Sequence, residues 1–163
     1  MPRTQPWYVT SAAGLLRSRR LVRMPIWLYR FRLGALAGPR MLMLEHTGRR
    51  SGAARYVVLE VLDHATPERY LVASGFGEKA QWFRNIRANP RVRVWAGSHA
   101  PAPATARVLD QAEADRSLAE YIGAHPRAWA RFKAVLEDTL GAEITETDNP
   151  LPLVELRLDQ NCT

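Results

Sequence analysis

Between Met41 and Leu109, short β-type segments follow one another, most of them separated only by a turn or a short loop. This order constrains the fold strongly, because antiparallel neighbours can be joined by a turn whereas parallel strands need long crossover connections. The β-type segments are Met41–Glu45, Arg55–Leu62, Arg69–Ser74, Arg91–Trp95, Thr105–Leu109 and Val154–Leu158. The sequence therefore predicts an α+β fold, in which an antiparallel sheet or small barrel carries peripheral helices.

Three helices are predicted around these strands. The first covers Gln81–Ala88, with its apolar side chains on one side. The second begins after residues 110–113, which have the Asp-x-x-Glu spacing of a capping box. The third begins at Pro126, carries an apolar residue every three or four positions and ends before Gly141. Because these helices do not alternate regularly with strands, a Rossmann fold is disfavoured.

Positive charge is concentrated in the first third of the chain. Residues 1–57 contain 11 Arg and one acidic residue, a net charge of +10, whereas residues 110–163 contain five basic and eleven acidic residues, a net charge of −6. Such a basic region is either solvated or binds an anionic partner, such as phosphate, polycarboxylate, nucleic acid or anionic lipid. Because the last third is acidic, nucleic acid is not expected as a partner.

The 163 residues fit one globular domain, preceded by a basic helical segment. We expect this N-terminal segment over residues 1–40 and the barrel domain over residues 41–163. Two interpretations of residues 11–37 remain open: a helix packed on the domain, or peripheral contact with the inner face of the cell membrane. A single cysteine, Cys162, and the lack of a secretory signal predict a cytoplasmic protein.

The sequence lacks the common patterns of metal and nucleophilic catalysis. The four histidines are too widely spaced for a zinc site, so no metal ion is expected. No serine lies in a G-x-S-x-G pattern, and no Walker A lysine is present. These absences disfavour a hydrolase and a P-loop nucleotidase.

The loop Thr47–Gly52 is the strongest local feature. Its two glycines permit tight turns in which successive backbone N–H groups converge on an anion. Arg49, Arg50 and Arg55 add guanidinium groups that suit phosphate or carboxylate oxygens, and the loop hydroxyl groups can donate hydrogen bonds. From residue types alone, the alternative is an ordinary solvated hairpin turn.

A second feature is the run of small residues at Val72–Gly75, followed by Trp82. Small residues at the end of a strand allow a flat ring to approach the backbone, and Trp82 can form one wall of a pocket. The alternative is that Trp82, Phe83 and Ile86 are simply the core face of a helix.

Together, these features resemble a known family. The sequence carries TGRxSG at Thr47–Gly52, a strand ending in Val72–Ser74, and W-x-x-N-x-x-x-N-P at Trp82–Pro90. In this order the motifs resemble the deazaflavin-dependent nitroreductase family of the split-β-barrel flavin-binding group. The resemblance covers about Met41–Leu109 and, more loosely, the last strand. It implies a split β-barrel of about six mainly antiparallel strands with peripheral helices.

The resemblance also implies a function. The protein would be an oxidoreductase that transfers hydride from the reduced deazaflavin coenzyme F420 to a quinone, a nitroaromatic compound or another activated acceptor. The coenzyme-binding residues would be Thr47, Arg49, Arg50, Ser51, Gly52, Arg55, Val72, Ala73, Ser74, Gly75, Lys79, Trp82 and Asn85. The arginines would hold the phosphate and the acidic tail, and the backbone of Val72–Gly75 would face the ring. No catalytic side chain can be assigned, although Tyr121 is a positional candidate on the substrate side.

Three alternatives remain open at this point. The same barrel could bind FMN or haem, as related split barrels do. The protein could also carry the coenzyme without catalysis, or be a basic module that binds nucleic acid. The oligomeric state is open as well, and a homodimer is one alternative, because split barrels commonly dimerise.

Overall fold

The computed structural model describes residues 40–159. The predictions for residues 1–39 and for Cys162 lie outside this range. Within it, the chain forms six strands and three α-helices, and a short 3-10 turn, Gly77–Lys79, follows the third strand. The elements are β1 (Met41–Thr47), β2 (Ala54–Thr66), β3 (Arg69–Ala73), α1 (Gln81–Ala88), β4 (Arg91–Ala96), β5 (Ala102–Val108), α2 (Gln111–Ala124), α3 (Pro126–Leu140) and β6 (Leu153–Leu158).

The six strands close into one barrel in the order β1-β2-β3-β6-β5-β4. Every neighbouring pair is antiparallel. β1 and β6 lie on opposite walls, because each is three strands away from the other in either direction around the barrel. The predicted α+β barrel of six antiparallel strands with peripheral helices is therefore confirmed.

β2 is longer than its sequence pattern indicates. The apolar run ends at Leu62 and predicts a turn over Asp63–Pro67, but the strand continues to Thr66. Its register against β3 shifts twice, between Val61 and Asp63 and between Asp63 and Thr66. Such irregularities let a strand continue through polar residues, because the backbone keeps pairing while the side chains change face. The apolar pattern alone therefore marks the end of the buried part of the strand, not the end of the strand.

The helix α1 packs into the barrel through its apolar side. Trp82, Phe83 and Ile86 are buried in one cluster with Leu44 of β1 and Val94 of β4. These three residues form the core face of the helix, and Trp82 also lines the cavity beside the β1–β2 loop. This packing fixes the position of the opposite, polar side of α1 relative to the β1–β2 loop.

The helices α2 and α3 cover a second core cluster outside the barrel interior. The Asp110 carboxylate accepts a hydrogen bond from the Glu113 N–H at 2.8 Å, and the Glu113 carboxylate accepts one from the Asp110 N–H at 3.2 Å, which completes the predicted capping box. Gly141 ends α3 in the left-handed conformation, with φ of 76°. Between residues 40 and 159, no helix is long and apolar enough to cross a bilayer.

Candidate functional site

A cavity of about 920 Å³ lies where the β1–β2 loop meets α1. Its walls also include the start of β2, the 3-10 turn and the C-terminal end of α3. Four cationic side chains line it: Arg49, Arg50, Arg55 and Lys79. No residue of the described part of the chain that lines the cavity is acidic. The cavity therefore has a positive potential that favours an anionic ligand.

The two glycines of the loop build its turn. The Gly48 N–H donates to the Ala53 carbonyl at 2.8 Å, and the Gly52 N–H donates to the Gly48 carbonyl at 2.7 Å. Gly52 has φ of +66°, and a Cβ at Gly48 would lie 2.8 Å from Ser51 Oγ. The N–H groups of both glycines are therefore used within the turn, and convergence of other N–H groups of the loop on an anion stays a prediction. The cationic side chains provide the positive charge instead.

Asn85 of α1 connects the loop to β1. Its Oδ1 accepts hydrogen bonds from the Arg49 backbone N–H at 3.2 Å and from Arg49 Nη1 at 3.0 Å. Its Nδ2 lies 3.1 Å from Nδ1 of His46. One turn earlier, Gln81 Oε1 accepts from Arg49 Nη1 at 2.9 Å. The guanidinium group of Arg49 is thus held against the polar side of α1.

His46 lines the cavity and was not among the residues predicted from sequence. It is only 5% exposed, and Arg55 is its direct partner across the β1–β2 pair. Burial, together with the positive charge of Arg55, lowers the pKa of His46 to about 4. The imidazole is therefore neutral at pH 7. The signal in the sequence was the position of His46 directly before the Thr47–Gly52 loop, because the continuous apolar run Met41–Leu44 does not mark an inward-facing side.

The structure brings seven of the thirteen predicted coenzyme-binding residues together in the cavity wall. These are Arg49, Arg50, Ser51, Arg55, Lys79, Trp82 and Asn85. The six that do not line it are Thr47, Gly52, Val72, Ala73, Ser74 and Gly75. Sequence reasoning missed other lining residues, namely His46, Gly48, Tyr56, Val57, Phe76, Ala80, Gln81, Thr139 and Leu140.

The segment expected to face the ring is covered by α3. Ser74 is fully buried, and its hydroxyl donates to the Gly77 carbonyl at 2.7 Å. The Gly75 carbonyl accepts a hydrogen bond from Thr139 Oγ1 at 2.8 Å, and a Cβ at Gly75 would lie 3.1 Å from Leu136 Cδ2. Contact between these residues and a ring stays a prediction. The sequence pattern could not show that α3 packs at this place.

Tyr121 lies outside the cavity, in the second core cluster. Its hydroxyl accepts a hydrogen bond from Arg40 Nη2 at 3.1 Å, and its ring meets Trp129 edge to face at 6.4 Å. Burial, and then the nearby charge of Glu60, raise the pKa of Tyr121. A role for this hydroxyl on the substrate side stays a prediction.

Aromatic and apolar side chains complete the cavity wall. Trp82 is nearly buried and meets Phe83 edge to face at 5.9 Å, whereas Phe76 is 42% exposed. Leu140 of α3 packs against the backbone of Gly77, the residue after Phe76. A Cβ added at Gly77 would lie 3.0 Å from Leu140 Cδ1. A cationic region next to an aromatic one fits a ligand that combines an anionic chain with a flat ring. This fold and this cavity together define a split-barrel coenzyme-binding protein.

The model of the F420H(2)-dependent quinone reductase family matches residues 21–154. The chain therefore belongs to the F420H(2)-dependent quinone reductase family. It is accordingly an oxidoreductase, and its cofactor is reduced coenzyme F420. No curated protein matches the chain.

Solved structures agree with this family. An F420-H2 dependent reductase is 25% identical with a TM-score of 0.51, over 72% of this chain and 94% of that one. A chain described as a domain-swapped dimer is 26% identical with a TM-score of 0.50, over 72% of this chain and 80% of that one. The protein Atu2129 from Agrobacterium tumefaciens, of unknown function, is 15% identical with a TM-score of 0.54, over 98% of this chain and 57% of that one. This last likeness shows the fold alone.

Proposed function

We propose that this protein reduces a quinone with hydride from reduced F420, which binds in the cavity beside the Thr47–Gly52 loop. The observation that carries the proposal is a cavity lined by four cationic side chains and, within the described residues, by no acidic one. When bound, reduced F420 supplies the hydride. Family membership supports the quinone as acceptor. The protein itself needs no nucleophile, because its residues only bind, orient and exclude water.

Three cations are available for the phosphate and carboxylate groups of the coenzyme. Within residues 40–159, Arg50, Arg55 and Lys79 form no ion pair with a carboxylate. Charge-assisted hydrogen bonds to such groups are stronger than neutral ones. Arg49 would add its remaining guanidinium donors, since only Nη1 is used by Gln81 and Asn85.

Trp82 and Phe76 would form the walls beside the flat ring. Trp82 is held by the barrel core, so its position is fixed before any ligand binds. Phe76 is half exposed at the edge of the cavity and would shield the ring from water. Fixed apolar walls of this kind orient a bound ring and keep the reaction out of bulk solvent.

Replacing a cavity arginine tests the coenzyme site. Arg50→Ala should weaken F420 binding by roughly 1.5–3 kcal/mol, a factor of about 10 to 150, because a charge-assisted contact is lost. The affinity is measured by quenching of intrinsic tryptophan fluorescence. Arg131→Ala on the exposed side of α3 is the matched control and should bind F420 like the wild type. Wild-type affinity in an Arg50→Ala, Arg55→Ala double variant would remove the proposed site.

Turnover with a panel of acceptors tests the reaction. Reduced F420 should be consumed with quinones, and more slowly with nitroaromatic compounds. A protein that binds F420 tightly and consumes none with any acceptor would instead be a coenzyme carrier. The visible spectrum of the reconstituted protein separates F420 from FMN and haem.

We further propose peripheral contact of residues 11–37 with an anionic membrane surface. This segment lies outside the described residues, and the support is its arginine content together with the quinone named by the family. Deleting residues 1–37 should abolish binding to anionic liposomes and slow the turnover of a lipid-soluble quinone. If both were unchanged, the membrane proposal would be wrong.

We also propose that the protein is a homodimer. The domain-swapped dimer described for one structural relative supports this. Sedimentation velocity should show a single species of twice the chain mass, and a monomer at micromolar concentration would contradict the proposal.

A further inference from the structure

We propose that His46 is a positioning residue, which fixes the orientation of the Asn85 amide and through it the Arg49 guanidinium in the coenzyme cavity. This inference rests on the proposed function, because it concerns how the same cavity is prepared for its anionic ligand. It assigns a role to a buried histidine that no part of the reaction otherwise uses.

The hydrogen-bond partners of the Asn85 side chain are compatible with only one orientation of its amide. Arg49 presents only donors to it, a backbone N–H at 3.2 Å and Nη1 at 3.0 Å, so the amide oxygen must face Arg49. The amide nitrogen then faces Nδ1 of His46 at 3.1 Å. Because that amide nitrogen is a donor, Nδ1 must accept and carries no proton. His46 is therefore neutral, with its proton on Nε2.

The imidazole and the Arg49 donors together keep the amide in this orientation. Asn85 is 5% exposed, so its amide nitrogen would be left without an acceptor in a buried place if His46 were apolar. Only the two Arg49 donors would then oppose rotation of the amide by half a turn. After such a rotation, two donors would face each other at Arg49, and its guanidinium would keep only the hydrogen bond to Gln81 on α1.

Burial, and then the positive charge of Arg55, keep the His46 ring neutral. Arg55 faces it from β2, Arg49 and Arg50 lie in the adjoining loop, and Lys79 lines the same cavity from the 3-10 turn. From α1 the uncharged Asn85 contacts it, and Gln81 and Trp82 line the same cavity. The β4 pairing of β1 stops at Glu45, which bonds Trp95 and Arg93 instead. Protonation would add a fifth positive charge and place an N–H against the Asn85 amide nitrogen.

Two amide substitutions distinguish the role of Nδ1 of His46 from that of Nε2. His46→Asn places an amide oxygen near the position of Nδ1, whereas His46→Gln places its amide near the position of Nε2. We expect His46→Asn to bind F420 within about threefold of the wild type, and His46→Gln and His46→Leu to bind roughly tenfold more weakly. His99→Leu, at an exposed turn, is the matched control and should leave binding unchanged. If His46→Leu does not fold, equal affinity of the Asn and Gln variants still overturns the proposal.

Nitrogen NMR of the imidazole gives a readout that requires no coenzyme. In the free protein at pH 7, the spectrum of His46 should show an unprotonated Nδ1 and a protonated Nε2. Its titration midpoint should lie far below that of an ordinary histidine, near the pKa of about 4. A proton on Nδ1, or a charged ring at pH 7, would overturn the positioning role.

The binding measurements distinguish this inference from the proposed function. If Arg50→Ala weakens F420 binding and His46→Gln and His46→Leu do not, the positioning role is wrong and the coenzyme site stands. If neither class of variant changes the affinity, the coenzyme site itself is wrong, and the role of His46 is overturned with it.

Discussion

Arginine side chains gather on opposite walls of the barrel, and the two groups have different partners. On β6, the Glu155 carboxylate is only 4% exposed and accepts hydrogen bonds from three arginines. Arg69 Nε lies 2.7 Å from it, Arg157 Nη2 lies 3.2 Å away and Arg107 Nε lies 3.5 Å away. We call these four residues the Glu155 cluster. Each of its guanidinium groups already has a carboxylate partner within the protein, so the cluster stabilises the fold.

The cavity beside β1 carries a similar group of cations without such a carboxylate. Arg50, Arg55 and Lys79 line it, and in the described part of the chain no acidic side chain does. The number of arginines in a region therefore does not show whether it binds an anion. A region is available to an anionic ligand when the fold places no carboxylate among its arginines.

The pKa values of the two regions agree with this contrast. Burial by itself would raise the pKa of Glu155, but hydrogen bonds from Arg107 and Arg69 outweigh it, so its pKa lies below the ordinary value. In the cavity, burial and the charge of Arg55 lower the pKa of His46 instead. One region thus holds an anion charged, and the other keeps a base neutral.

The largest effect is expected from breaking the Glu155 cluster. Glu155→Ala should lower the free energy of unfolding by about 3 kcal/mol, because three guanidinium groups then lose the buried carboxylate to which they all donate. Urea unfolding at pH 7 measures this, and F420 affinity should not change. Arg157→Ala is the control, since its side chain is 69% exposed and should cost less than about 1 kcal/mol. Equal losses in the two variants would contradict the distinction between the regions.

Acid should act on the cavity through His46. The unfolded chain takes up a proton at the ordinary pKa of 6.5, whereas the folded chain does so at about 4. Between these values the unfolded state binds more protons, so stability should fall by about 2 kcal/mol as the pH drops from 6.5 to 4. Above pH 6.5 this contribution is constant.

The measurement is urea unfolding of the wild type and of His46→Asn at several pH values. The variant should lack the His46 part of the loss, and the effect of Glu155 should appear only at more acidic pH because its pKa is lowered. Identical pH profiles of the two proteins between pH 6.5 and 5 would show that His46 is not buried and neutral.

The smallest expected effect is a difference in stability between variants of two neighbouring arginines of the cavity. Arg49→Ala should lower the free energy of unfolding by about 1 kcal/mol, because hydrogen bonds to Gln81 and Asn85 are lost. Arg50→Ala should change it by less than about 0.5 kcal/mol, since its side chain has no partner within the described residues. Both are measured without coenzyme. Equal destabilisation would mean that Arg50 also has a structural role.

Much of the fold could be predicted from residues close together in sequence. The bounds of α1, the capping box at Asp110 and the end of α3 at Gly141 follow from local periodicity and cap chemistry. The extension of β2 to Thr66 could not be predicted, because it depends on backbone pairing with β3. The cationic part of the site was predicted from the loop motif, whereas His46 was missed.

The sequence by itself determined where most strands lie, the helix ends and the arginine-bearing loop, because each depends on neighbouring residues and their backbone preferences. Only the tertiary structure decided which charges are matched. Asn85 meets Arg49 across 36 positions and His46 across 39, and Arg69 meets Glu155 across 86. Barrel closure creates those contacts, and so determines which arginines stabilise the fold and which remain available to a ligand.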